Sequence, residues 1–364
     1  MRICVVGFSH PKNDKRVIRT VKALAEQHHV EYIYWTENIK EKPISEANID
    51  YVPMYYKHGH KISERREFEL FVADYLRTVD CDLAYFHHYQ VTVPFKPYKA
   101  FTSRGIPVIT DIHEYIPDDY LASISRIPKK LRVAAGKHIF KGICKLSSGL
   151  VMTRELTKEK AEKYNTKTFL FENLGNRLIS PLSKDKRNKE IVLVGATPRN
   201  FDREKQLFKL LHKSGFDIVM IGSKKKPEQD FIKYEPFIEN SKLLDRISRA
   251  AFSYCSFDPR DEKGNIRTNY LYSSANKLYD SICAGTPVIV EHDFVEMKKH
   301  LTEDHVGVLV TPSDSMTSII QIKEYWKYGN YQSLLTSIKD NQYKYVFSEA
   351  RKAAFLDFVR SVKA

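Results

Sequence analysis

The chain has 364 residues, 59 Lys and Arg against 45 Asp and Glu, and a formal net charge of +14, with 42% hydrophobic and 29% charged residues. That length supports roughly two domains with a core each, and the composition excludes a disordered chain. The charge predicts attraction to something anionic: a phosphate-bearing substrate, a lipid surface or nucleic acid.

The first half alternates apolar strands with helical stretches. Ile3–Gly7 reads as a buried strand, and Asp14–Gln27 as a helix with Val17, Ile18, Val21, Leu24 and Ala25 on one face. Further strands are expected at Val30–Tyr34, Leu83–His87, Val108–Asp111 and Gly149–Thr153. Between the last two, Leu121–Lys145 holds seven Lys or Arg and no acidic residue. As a helix it carries an apolar ladder of Leu131, Ala135, Ile139 and Ile143, with Lys130, Lys137, Lys141 and Lys145 on another side. The polar segment beginning at Asn173 separates the halves, and the pattern then restarts. Strands are expected at Ile191–Gly195, Asp217–Gly222, Ala251–Ser256 and Val288–Val290, with helices over Asp202–Ser214 and Asn276–Ala284 and one closing at Arg246–Ala251. The tail Ser348–Val362 reads as a helix with Ala350, Ala353, Phe355, Leu356 and Phe358 apolar. This gives an N-terminal domain over 1–172, a linker over 173–189, a C-terminal domain over 190–345 and a terminal helix over 346–364. Alternating strands and helices predict right-handed βαβ units and an α/β fold with two parallel sheets. Ligands of open α/β sheets sit outside the carboxyl ends of the strands, so a cleft lined by both domains is expected.

Cys4, Cys81, Cys144, Cys255 and Cys283 lie far apart, with neither zinc spacing nor a disulfide framework, which points to a reducing cytoplasm. Met1–Phe8 is too short for a signal-peptide core, and no apolar run is long enough to span a bilayer. Asp80-Cys81-Asp82 precedes a strand instead of following one, so it reads as turn and capping chemistry and not as a metal motif. No G-x-G-x-x-G is present, which argues against a nicotinamide enzyme.

Ser273–Val290 reads SSANKLYDSICAGTPVIV. The run sets Asn276, Lys277 and Asp280 ahead of a Gly-Thr-Pro turn and an apolar strand. It can present a helix N-terminus, a cation and a carboxylate to one ligand, as a nucleoside diphosphate requires. The plainer alternative is an exposed i,i+3 ion pair on a helix. Upstream, the strand Ile191–Gly195 runs into a second helix start. There Gly195 permits close backbone approach, and Arg199 and Arg203 add charge. Pro107–Tyr115 reads PVITDIHEY and delivers Asp111, His113 and Glu114 to the carboxyl end of a strand. A neutral imidazole there can bond a sugar hydroxyl, and a protonated one can assist a departing phosphate.

The Ser273–Val290 run closely resembles the donor-binding segment of GT-B glycosyltransferases, above all the retaining family four (group 1), whose common form is P-N-K-L-F-E-Y-x-A-A-G-x-P-V-I. PVITDIHEY resembles the family segment P-V-V-Y-D-x-H-E, and Asn13-Asp14-Lys15-Arg16 resembles its N-D-x-R helix start. The resemblance implies a GT-B fold, two Rossmann-like domains facing a central cleft, with the nucleotide sugar on the C-terminal domain and the acceptor on the N-terminal one. It implies that Lys277 meets the diphosphate, with Asn276, Gly195, Arg199 and Arg203 beside it. Glu204 stands where relatives usually have Gly. Asp280, where relatives have Glu, takes the ribose, and Ile238 lies where relatives clasp the base. Asn269 and Tyr270 face the donor sugar. His113 stands at the reacting centre, with Glu114 or Asp111 as base if the reaction inverts, and His10, His87 and His88 line the acceptor pocket. No cofactor and no metal are expected. The reaction implied is sugar transfer to a glycan or polyprenyl-linked acceptor in bacterial envelope or capsular polysaccharide synthesis. The basic segment 121–145, extended by Tyr55–Arg66, is expected on the inner face of an anionic membrane. Three alternatives stand beside this reading: a nucleotide-sugar epimerase of similar fold, a non-catalytic partner subunit, and a basic nucleic-acid-binding protein, the last without any recognised motif.

Overall fold

The computed structural model describes residues 1–8, 10–56, 62–87, 95–121, 127–195, 201–258, 260 and 266–363. His88 and Arg199, and parts of Tyr55–Arg66 and Leu121–Lys145, lie outside the described residues. The chain forms two compact units, Met1–Glu172 with Glu349–Ala364, and Asn173–Ser348.

The first unit runs β1 (Arg2–Phe8), α1 (Lys15–Ala25), β2 (His29–Thr36), β3 (Ile44–Glu46), β4 (Ile49–Tyr55), α2 (Ile62–Leu76), β5 (Leu83–His87), α3 (Lys96–Thr102), β6 (Val108–Ile112), α4 (Ile116–Asp119), α5 (Lys129–Leu146), β7 (Gly149–Met152), α6 (Glu155–Glu162) and β8 (Thr168–Leu170). Among the described residues these strands form one sheet in the order β3-β4-β2-β1-β5-β6-β7-β8. Its pairings are parallel except the β3–β4 edge, which is antiparallel. The inner strands β5, β6 and β7 are buried at every position, as strands covered on both faces must be.

The second unit runs β9 (Asn188–Val194), α7 (Lys205–Lys213), β10 (Asp217–Ile221), β11 (Ile232–Glu235), α8 (Asn240–Ser248), β12 (Ala250–Cys255), α9 (Thr268–Leu271), α10 (Asn276–Cys283), β13 (Val288–Glu291), α11 (Val295–Asp304), β14 (Gly307–Val310), α12 (Ser315–Tyr325) and α13 (Tyr328–Asn341). Its sheet, β11-β10-β9-β12-β13-β14, is parallel throughout. The turn before β13 needs Gly285: its φ is 70°, and a Cβ there would lie 2.7 Å from Pro181 Cα. The last helix, α14 (Glu349–Lys363), belongs to the first unit. Its Phe355 stacks on Phe171 at 4.9 Å, and Val362 covers Gly149.

In each sheet the strand order reverses direction at one place, between β1 and β5 and between β9 and β12. Loops leaving adjacent strands at such a point diverge and open a crevice. His10 and His87 follow the first pair of strands, and Gly195 and Ser256 the second.

Three sequence expectations need correction. Helix α1 buries Arg16 and Arg19 beside Val17, Val21 and Leu24, while Ile18 and Ala25 are only partly covered, because the two guanidiniums find buried acceptors. On α5 the packed face is Gly136, Phe140, Ile143 and Cys144. Leu131 and Ala135 are exposed, because Gly136 lets Pro117 of α4 approach the helix on another side. On α14, Ala350 and Ala353 face solvent, and Phe355, Leu356, Val359 and Val362 carry the contact. The strands β3, β4, β8, β11 and β14 were not expected; most are short and carry polar or half-buried residues.

Candidate functional site

In the second unit, β9 ends at Gly195 with φ 153°, a backbone conformation that favours glycine. Past it, Arg203 places Nη2 2.9 Å from Glu291 Oε2 and 3.3 Å from Asp293 Oδ2. Glu204 is buried and accepts a hydrogen bond from Ser256 Oγ at 2.9 Å. Glu291, at the end of β13, is fully buried and accepts from Tyr254 OH at 3.2 Å. Burial raises its carboxyl to about 7, the Glu204 carboxyl beside it adds to the rise, and Arg203 opposes both.

Lys277 joins this cluster from α10. Its Nζ donates to Ser256 O at 2.6 Å and stands 4.9 Å from the centre of the Phe257 ring. The first turn of α10 has no side-chain cap, so its amides are available to an anion. Asn276 is exposed at that terminus, and Asp280 is buried one turn on. Tyr270 packs its ring 5.7 Å from Phe257 and accepts from Arg267 Nη1 at 3.1 Å, while its neighbour Asn269 is buried. Ile238 stands apart from these, half-buried on the β11–α8 loop, where Phe237 covers Gly222 at the end of β10. The structure therefore gathers Arg203, Lys277, Asn276 and Tyr270 around the ends of β12 and β13. The Glu204–Glu291 pair and the Ser256 carbonyl are features that sequence reading missed. Its one signal was an acid standing at the position of a family glycine.

In the first unit, three imidazoles converge. His87 Nδ1 lies 3.3 Å from His113 Nε2 and 3.4 Å from Asp111 Oδ2, and His113 Nε2 is 3.7 Å from Asp111 Oδ1. The His10 ring is centred 5.0 Å from that of His113. His10 Nδ1 pairs with Asp14 at 3.2 Å, and Asp14 also caps α1 through the amides of Arg16 and Val17. Burial works to raise the Asp14 carboxyl, but bonds and charge from His10 and the Val17 amide bring it down to about 2. His87 is fully enclosed, and that burial pushes its pKa down to about 3 against the pull of Asp111. His87 is therefore neutral near pH 7. The Nε2 atoms of His10 and His87 are buried without a hydrogen-bond partner, which is uncommon away from functional sites. The preceding Phe8 has φ 49°, a strained value for a non-glycine residue.

Asp111 corrects the expectation of an exposed acid. It is fully buried, and Arg16 grips both its oxygens, Nη2 at 2.7 Å from Oδ1 and Nε at 3.1 Å from Oδ2. Arg16 Nη1 continues to Phe171 O at 2.7 Å. Asp111 thus orients the histidines and has no proton-accepting oxygen clear of the guanidinium. Glu114 is half-buried in the next turn. His87, Asp111 and His113 offer ligand atoms within 4.8 Å of one another. A divalent cation there would compete with Arg16 for Asp111 and meet its positive charge. Asp80 and Asp82 form surface ion pairs with Arg2 and Lys363, which fits their reading as turn chemistry.

The whole chain is similar to several solved structures. Sucrose-phosphate synthase from Thermosynechococcus elongatus shares 14% identity at a TM-score of 0.67, covering 99% of this chain and 98% of that one. HepE from Anabaena, solved in complex with UDP and glucose, shares 11% identity at 0.67, covering 99% and 100%. An α,α-trehalose-phosphate synthase (UDP-forming) from Burkholderia vietnamiensis shares 11% at 0.65, covering 98% and 96%. These are GT-B glycosyltransferase structures, and the fold of this chain is GT-B. No protein-family model matches the chain. No curated protein matches it in sequence. Among the described residues, no helix is long and apolar enough to cross a membrane.

Proposed function

We propose that this protein is a glycosyltransferase that takes a sugar from a nucleotide-sugar donor. The observation that carries the reading is the meeting of Lys277, the uncapped start of α10 and Arg203 at the strand ends of the second unit. Amides and two cations answer the charge that grows on a departing nucleoside diphosphate. In this reading Asn276 and Gly195 flank the diphosphate, Asp280 meets the ribose, Ile238 the base, and Asn269 and Tyr270 the sugar. The solved UDP complexes of similar fold support the same donor class.

His113, with Glu114, serves the reacting centre on the acceptor side, beside His10 and His87. Neutral His87 leaves His113 as the imidazole able to take or give a proton to a hydroxyl. No metal enters this reading, so a chelator leaves transfer unchanged. The acceptor is a lipid-linked glycan. Support comes from α5, where Lys129, Lys130, Leu131, Lys137, His138, Lys141 and Lys145 are exposed with no acid among them. Such a face suits the anionic inner leaflet of a cell envelope.

The test is a calorimetric titration with a panel of nucleoside diphosphates, followed by donor hydrolysis. At least one should bind, and Lys277→Ala should weaken it. A wild type that binds none of them removes the donor site from consideration.

A further inference from the structure

Glu204 and Glu291 need an account that nucleotide binding alone does not provide. Both are buried, they come from the loops and strand ends that hold Arg203, and Ser256 joins them to Lys277. The Ser256 hydroxyl donates to Glu204 Oε1 at 2.9 Å, and its carbonyl accepts from Lys277 Nζ at 2.6 Å. Arg203 Nη2 binds Glu291 Oε2 at 2.9 Å, and its Nη1 is buried without a partner. The remaining charged and titratable groups about Glu291 are Tyr254 from β12, then Asp293, His292 and Arg260, which line a cavity of about 270 Å³ with Arg203. Asp293 is 63% exposed at its side chain, so water screens it.

Two adjacent buried carboxyls do not both ionise beside a single guanidinium without a large penalty. We propose that Glu204 and Glu291 hold one proton between them, and that the charge of this pair sets how strongly Arg203 and Lys277 attract a diphosphate. The proposal rests on the donor site assigned above. With the proton in place, the pair carries one negative charge and compensates Arg203, which leaves Lys277 and the α10 amides to give the site a net positive field. When the proton leaves, the pair over-compensates Arg203 and repels the ligand. Ser256, bonded to both Glu204 and Lys277, carries the same change to the lysine by a single covalent residue.

The pair therefore acts as a positioning device, and its signature is a pH profile. Glu204→Gln keeps the acceptor for Ser256 but removes one ionisation, leaving Glu291 as a lone carboxylate on Arg203. The experiment measures the Kd of UDP, or of whichever diphosphate binds in the panel, between about pH 6 and 8 for the wild type, Glu204→Gln and Glu291→Gln. Dividing wild type by variant cancels the ionisation of the ligand itself. The wild-type Kd should rise relative to Glu204→Gln as pH increases, by several-fold, with tenfold per pH unit as the limit for one proton. Glu291→Gln should give a ratio of the same slope, which supplies a second reading if one variant folds poorly. Ratios flat to within twofold, in a protein whose binding Lys277→Ala still weakens, overturn the pair alone. A wild type that binds no diphosphate at any pH overturns the donor site and this role together.

Discussion

The two clusters at the strand ends solve opposite electrostatic problems. In the first unit, neutral imidazoles are packed around a carboxylate that Arg16 has already compensated, so the cluster carries little net charge. In the second, Arg203 and Lys277 are held by a carboxyl pair that burial drives toward protonation. The first is suited to moving a proton at a hydroxyl and the second to gripping an anion. They also respond to acid in opposite directions. His87 has its pKa depressed when folded, so its contribution is complete above about 6.5 and is lost as pH falls toward about 3. Glu291 has its pKa raised, so its contribution is complete below about 4.5 and is lost as pH rises toward about 7.

The sharpest way to break the contrast is Asp111→Ala. It strands Arg16 as a buried, uncompensated cation, and chemical denaturation should report a loss of about 3–5 kcal/mol. A change below 1 kcal/mol would mean that Arg16 is solvated and the cluster is not neutral by design. Next in size is His113→Ala, expected to lower the transfer rate by about a hundredfold while leaving diphosphate affinity nearly unchanged. Steady-state kinetics alongside calorimetry separates the two effects, and equal rates in both proteins would remove His113 from the reacting centre. Lys277→Ala should weaken diphosphate binding by about 1.5–3 kcal/mol, roughly tenfold to a hundredfold in Kd.

A smaller effect tests the opposed pH responses directly. Hydrogen exchange resolved by unit, followed from pH 6.5 down to 4.5, should show the first unit opening more and the second less. Glu291→Gln should flatten the trend in the second unit only. The smallest expected effect is at the surface. Vesicles rich in phosphatidylglycerol should retain the protein at low salt and release it at high salt, and neutral vesicles should not retain it. Replacing Lys130, Lys137 and Lys141 by Gln should abolish that retention.

Much of the architecture was legible because parallel strands buried on both faces leave unmistakable apolar runs. Leu83–His87 was read with the bounds that it has, and the helix from Asn276 was placed to within one residue. Edge elements were not legible. Ile44–Glu46 is exposed along its length and Ile232–Glu235 is only partly covered, so neither shows a pattern that a loop would not. The candidate site divides in the same way. Lys277, Arg203, His113 and His87 stand at strand ends or helix starts, where local pattern predicts them. The ion-pair partners do not: Arg16 lies 95 residues from Asp111, and Arg203 lies 88 residues from Glu291.

The sequence by itself determined two α/β units and which residues reach the ends of their strands, because hydrophobic period and turn chemistry are local properties. Only the tertiary structure decided the state of those residues. It buried Asp111 against a guanidinium, kept His87 neutral, and set Glu204 beside Glu291. Burial and charge act through distances in space, and the residues that meet there are far apart along the chain.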